Sequence, residues 1–106
     1  GNVRRIIMVK HVIIWTLKTE YSNSEKRAAA EKIKSGLEGL AGRIPGMTSV
    51  KVNIDLLPSS TGDVMLDTEF TDESALKAYQ TNPEHVAVAT YVRSVVCDRK
   101  CVDYEC

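Results

Sequence analysis

The sequence predicts an α+β domain in which helices cover one face of an antiparallel sheet. Three observations carry this: four stretches in which apolar residues alternate, intervening stretches with apolar residues at helical spacing, and capping or turn residues at the junctions.

From Val9 to Leu17 the residues Val9, His11, Ile13, Trp15 and Leu17 share one side of an extended chain, with Lys10, Val12, Ile14 and Thr16 on the other. Both sides carry apolar residues, the mark of a central strand. Ser24 then caps a helix expected to reach about Ala41, with Ile33, Leu37, Leu40 and Ile44 at helical spacing. Gly42 and Pro45 end it. Val50, Val52 and Ile54 alternate with polar neighbours, and the turn at Pro58-Ser59-Ser60-Thr61-Gly62 joins this strand to a second. The second strand sets Val64, Leu66, Thr68 and Phe70 on one side and Met65, Asp67 and Glu69 on the other, completing a hairpin.

Thr71 or Asp72 caps a short helix with Ala75, Leu76 and Tyr79, which stops near Thr81 because a residue before proline avoids helical geometry. Asn82 caps the next helix, with Pro83 in its first turn, reaching about Val96. Val102, Tyr104 and Cys106 alternate with Cys101, Asp103 and Glu105 in a last strand. Strand, helix, strand, strand, helix pair, strand is the order of the ferredoxin-like, or split βαβ, arrangement. Helices cover one face of such a sheet. Val12 and Ile14 on the other face call for a second cover, and another copy of the chain supplies it, so a homodimer is expected.

Composition narrows the function. Fourteen basic residues balance fourteen acidic ones, which gives no field to hold nucleic acid or an anionic membrane surface. Arg4 and Arg5 are too few for a basic tract. The apolar run Ile6 to Leu17 is broken by Lys10 and His11 and falls short of the roughly 20 residues of a membrane helix. It also lacks a secretory cleavage site, so a cytoplasmic address is expected. Residues 1–7 read as a leader or tag remnant before a domain over 8–106. Cys97, Cys101 and Cys106 are odd in number and lack the spacing of a structural zinc site, so free thiols and no metal are expected. The six glycines are scattered without a nucleotide fingerprint, and no cofactor is implied.

The residues suited to chemistry are Tyr79, His85 and His11. The run Tyr79-Gln80-Thr81-Asn82-Pro83-Glu84-His85 sets a phenol and an imidazole around a helix start, and imidazole titrates near neutrality, at about 6.5. His85, followed by Ala89, Val92 and Val96 at helical offsets, begins an apolar stripe. One reading makes His85 and Tyr79 a general acid/base pair acting beside a carbonyl; the other has His85 lock the helix junction and Tyr79 pack. His11 is either a third member or a core imidazole satisfied by backbone. Trp15 and Leu17, with Val64, Leu66 and Phe70, line an apolar pocket or form plain core. Asp67 and Glu69 form a solvated face or, with further ligands, a hard-cation site.

Four segments, Val9-Lys10-His11-Val12-Ile13-Ile14-Trp15, Phe70 to Tyr79, Asn82-Pro83-Glu84-His85-Val86 and Val102-Asp103-Tyr104-Glu105, resemble the stress-responsive A/B barrel (Dabb) family. The resemblance covers Met8 to Glu105. It implies a dimeric α+β barrel of two ferredoxin-like protomers packed sheet to sheet around a pocket. It also implies a division of roles within the family between stress proteins and polyketide cyclases, in which a histidine and a tyrosine matching His85 and Tyr79 act on substrate and a histidine matching His11 lies near. The sequence departs from the family's frequent His-Pro-x-His form by carrying Asn82, which keeps the cap and loses an imidazole. Two functions follow as expectations. One is a cofactor-free barrel that binds or converts a small carbonyl-containing or aromatic molecule, as a cyclase-like lyase would. The other is a non-catalytic structural stress protein. A cofactor-independent monooxygenase is a further option by fold analogy alone.

Overall fold

The computed structural model describes residues 6–106; Gly1, Arg4 and Arg5 lie outside them. The elements in chain order are β1 (Val9–Leu17), α1 (Asn23–Glu38), β2 (Met47–Asn53), β3 (Val64–Phe70), α2 (Glu73–Thr81), α3 (Pro83–Val95) and β4 (Val96–Glu105). They form an antiparallel sheet of order β2-β3-β1-β4 with the helices on one face, the ferredoxin-like α+β fold. No described helix is long and apolar enough to cross a membrane.

Alternation in β1 sends Val9, His11, Ile13, Trp15 and Leu17 under the helices, where all five are buried. Val64, Leu66, Thr68 and Phe70 of β3 do the same beside them. The helices answer with Ala29, Ala30, Ile33 and Leu37 from α1, Leu76 and Tyr79 from α2, and Val92 and Val95 from α3. Leu40 and Ile44 join the core from the loop after α1. The opposite face stays open, with Ile14, Val102 and Tyr104 exposed.

The first helix differs from its expected bounds at both ends. Ser22, not Ser24, is the N-cap: its hydroxyl accepts from the Glu25 amide at 3.2 Å while the Glu25 carboxylate accepts from the Ser22 amide at 2.8 Å. Only Ser22 has a glutamate three residues on, and the reciprocal pair decides the start. The helix ends at Glu38 with Gly39 as cap, ahead of Gly42. Glu38 and Lys34 then fasten α1 to β2: the Val52 amide donates to Glu38 at 2.9 Å and Lys34 donates to the Val52 carbonyl at 2.6 Å. Burial opposes the Glu38 charge, but Lys34 and the Val52 amide outweigh it and hold the carboxyl below its ordinary range.

The last strand is longer than its alternation suggests. It begins at Val96, directly from α3, and pairs with β1 along that strand's whole length. Its residues after Val96 are exposed, so backbone pairing and not burial makes the strand. Asp67 on the open face pairs with Lys10 at 2.6 Å, and neither Asp67 nor Glu69 joins a metal-binding cluster among the described residues.

Gly46 starts β2 in the left-handed region, φ +80°, and its carbonyl accepts from the Thr71 amide at 2.8 Å. An added Cβ would stand 2.5 Å from the Ala75 Cβ. Gly46→Ala therefore combines left-handed strain with a clash against α2, and a loss of at least about 2 kcal/mol is expected in urea unfolding. An unchanged midpoint would show that α2 yields freely.

Candidate functional site

The site is built where α2 meets α3, opposite β1. Asp72 caps α2, accepting from the Ala75 amide at 2.7 Å, which sets the helix phase so that Leu76 and Tyr79 point inward. Asn82 ends α2 and caps α3, its side chain accepting from the Glu84 amide at 2.9 Å, with Pro83 in the first turn. This shared cap turns the chain so that His85 comes back over Tyr79. The two rings stack with centroids 3.8 Å apart. Tyr79 also meets Phe70 at 5.1 Å and His11 at 6.2 Å, the latter edge to face.

A cavity of about 430 Å³ opens between the sheet and α3. Its apolar wall includes Ile13, Trp15, Leu66 and Val92; His11, His85, Gln80, Arg93 and Arg99 give it polar character. Of the expected residues, His11, His85 and Trp15 thus reach one cavity. Tyr79 lies behind His85 and is 1% exposed, while Leu17 and Phe70 stay in the core and do not line the space. The cavity is on the helix-covered side of the sheet within one protomer, not on the open face where a second sheet would pack. Strand periodicity tells which residues share a side; it does not tell which side the helices hollow out.

The electrostatics favour a neutral site. Burial lowers the pKa of His85 from its ordinary 6.5; the Tyr79 carbonyl offsets part of this, and the charges of His11, Arg93 and Arg99 add to the lowering. Burial pushes the Tyr79 phenol up, so it keeps its proton. Among the described residues, neither the Tyr79 hydroxyl nor Nδ1 of His85 makes a hydrogen bond of ordinary geometry, although both atoms are buried, and the Tyr79 carbonyl is the acceptor beside the His85 ring. Each such atom costs about 1–3 kcal/mol when left unsatisfied. On the cavity rim, Asp98 is already paired with Lys100 at 3.1 Å.

His11 is anchored differently. Its Nδ1 lies 2.5 Å from Oδ1 of Asp103, directly across from it on β4, and the Thr68 hydroxyl donates to its carbonyl at 2.7 Å. The Cys101 sulfur is 3.8 Å from Nδ1 and 3.5 Å from the Asp103 carboxylate. Burial, and then Asp103, push the Cys101 thiol up, so it stays protonated near neutrality and is a poor nucleophile. Asp103, Gln80, Arg93 and Arg99 were not singled out by residue type. The signals for Asp103 are its place two residues after Cys101 in an alternating strand and in the segment Val102-Asp103-Tyr104-Glu105, and the pairing with His11 needs the β1–β4 register.

The comparisons with known proteins agree with this architecture. A dimeric protein of ferredoxin-like fold and unknown function from Bacteroides fragilis is 31% identical, over 93% of this chain and 96% of that one, with a TM-score of 0.87. A Dabb family protein from Mesorhizobium loti is 24% identical over 92% and 95%, with a TM-score of 0.70. A hydroxynitrile lyase from Passiflora edulis shares the fold at 14% identity over 93% of each chain, with a TM-score of 0.70. No curated protein matches. The family model for the stress responsive A/B barrel domain matches residues 9–106, so the chain belongs to that family.

Proposed function

We propose that the protein is a cytoplasmic homodimer whose protomers each hold a small carbonyl-bearing molecule in the cavity under α3, with His85 as the base. One observation carries this reading: the unpartnered, buried Nδ1 of His85, together with the unpartnered Tyr79 hydroxyl behind it, at the edge of an open apolar cavity.

The chemistry follows from the protonation states. Neutral His85 accepts a proton from the carbon beside the carbonyl, and the C–H electron pair moves through that carbon to the carbonyl oxygen. Arg93 and Arg99 on the cavity wall favour that developing negative charge, while Tyr79, stacked behind His85, holds the imidazole in place. Aldol-type closure and isomerisation both begin with this step; in lyase cleavage His85 instead takes a hydroxyl proton, that oxygen's electron pair forms the carbonyl, and the carbon–carbon bond breaks toward the leaving group. The fold shared with the Passiflora lyase shows architecture alone; the reading rests on the site. Homodimerisation is supported by the open sheet face and by the dimeric Bacteroides relative. Cysteines without disulfides accord with the cytoplasm.

A structural stress role is the second reading, favoured by the 3.8 Å stacking of His85 on Tyr79, which gives the ring a packing purpose without chemistry. Trp15, the single tryptophan, lines the cavity and reports on both. Titration with aromatic aldehydes and ketones is expected to change its emission saturably with Kd below about 1 mM. Ala89→Phe, which fills the cavity from α3, is expected to abolish the change. No saturable response to any compound would reject the binding reading.

A further inference from the structure

We infer that His11, Cys101 and Asp103 form a binding site for zinc or a similar borderline-soft divalent metal at the β4 edge of the sheet. Cys101 and Asp103 are two apart on β4 and so share a face, and Asp103 stands directly across from His11 on β1. One nitrogen, one sulfur and one oxygen donor thereby lie within 4.8 Å of one another. This is the helix side of the sheet, which a partner docked on the open face leaves uncovered.

The spacing suits a tetrahedral ion. Zinc bonds of about 2.3 Å to sulfur and about 2.0–2.2 Å to nitrogen and oxygen set sulfur about 3.6 Å from each of the other two donors. The sulfur here lies 3.8 Å from Nδ1 and 3.5 Å from the carboxylate oxygen. The nitrogen and oxygen, now 2.5 Å apart, must open to about 3.4 Å. Asp103 can supply that movement because its side chain is 45% exposed. His11 need not move: it is 2% exposed, and Phe70 and Tyr79 meet its ring at 6.5 and 6.2 Å.

The donor set also selects. A bound metal ion displaces the Cys101 proton to solvent, and the resulting thiolate disfavours magnesium and calcium, whereas zinc takes imidazole, thiolate and carboxylate alike. Three protein ligands leave a fourth position for water or a ligand. Room for it exists, because Asp103 borders a separate cleft of about 560 Å³ with Glu73, Leu76 and Lys77. The cysteine spacing hid this site, since two of its three ligands are not cysteines and His11 is 92 residues from Asp103.

The test is a Co²⁺ titration of the reduced full chain, read by absorbance. Wild-type protein is expected to show the thiolate-to-cobalt charge-transfer band and the visible bands of tetrahedral cobalt, both bleached by added Zn²⁺. Cys101→Ser is expected to lose the charge-transfer band and Asp103→Asn to weaken zinc at least about tenfold. Cys97→Ser and Cys106→Ser should keep both properties. Absence of the thiolate band in wild-type protein, its survival in Cys101→Ser, or its loss in Cys97→Ser or Cys106→Ser would overturn the site. The wild-type spectrum decides even if a variant fails to fold.

Discussion

His85→Ala is expected to lower turnover of a cavity-binding carbonyl substrate by about 10²–10⁴-fold while leaving the melting temperature within about 4–8 °C of wild type. The first expectation follows from removing the imidazole proposed as the base on the cavity wall. The second follows from two opposing changes in the fold. Losing the ring stacked on Tyr79 costs about 0.5–1.5 kcal/mol, whereas deleting a buried nitrogen without a partner returns a comparable amount. The pH profile adds a sign. Because His85 titrates below its ordinary 6.5 in the folded chain, kcat/KM should hold through neutrality and fall only on the acid side of 6.5. Stability moves the same way. Below 6.5 the unfolded chain takes up this proton before the folded one, so stability is full above 6.5 and declines as pH falls toward the folded pKa. His85→Ala should flatten that decline. Retained turnover with a large loss of melting temperature would instead make His85 a structural residue.

The junction that holds His85 was legible because its punctuation is local. Asn82 and Pro83 can do little else but end one helix and cap another, and the helical offsets from His85 to Val92 fix the direction of the stripe. The β1 strand was legible for a similar reason: five alternate positions agree. The N-cap was harder, since Ser22 and Ser24 are both good caps and only the position of Glu25 separates them. The first half of β4 carried no alternation because an exposed edge strand has no face to bury. The site divides along the same line. Residue type alone picked out Tyr79, His85 and His11. Asp103 and Cys101 became neighbours of His11 only through strand register, and Arg93 and Arg99 through the packing of α3 over β4, neither of which leaves a periodic trace in one sequence.

Val102→Asp is expected to convert a dimer of 11.7 kDa chains into monomers while the protomer keeps its secondary structure. Val102 lies directly across from Val12 on the open face, 59% exposed, with Ile14 and Tyr104 also exposed at 42% and 48%. Apolar side chains gathered on one sheet face are what a second copy would cover. In a two-fold dimer each substitution enters the interface twice, so two carboxylates lose water without gaining a partner. Lys10, across from Tyr104 on the same face, is already paired with Asp67 at 2.6 Å and is not free to compensate. A penalty of about 4 kcal/mol corresponds to roughly 10³-fold weaker association, which sedimentation velocity at micromolar concentration resolves. The protomer should survive because Val102 contributes nothing to the buried core and the β1–β4 ladder is made by backbone groups. Circular dichroism on the same samples separates dissociation from unfolding. A variant that stays dimeric would move the interface away from the sheet face and require the helices or the β2 edge to make it.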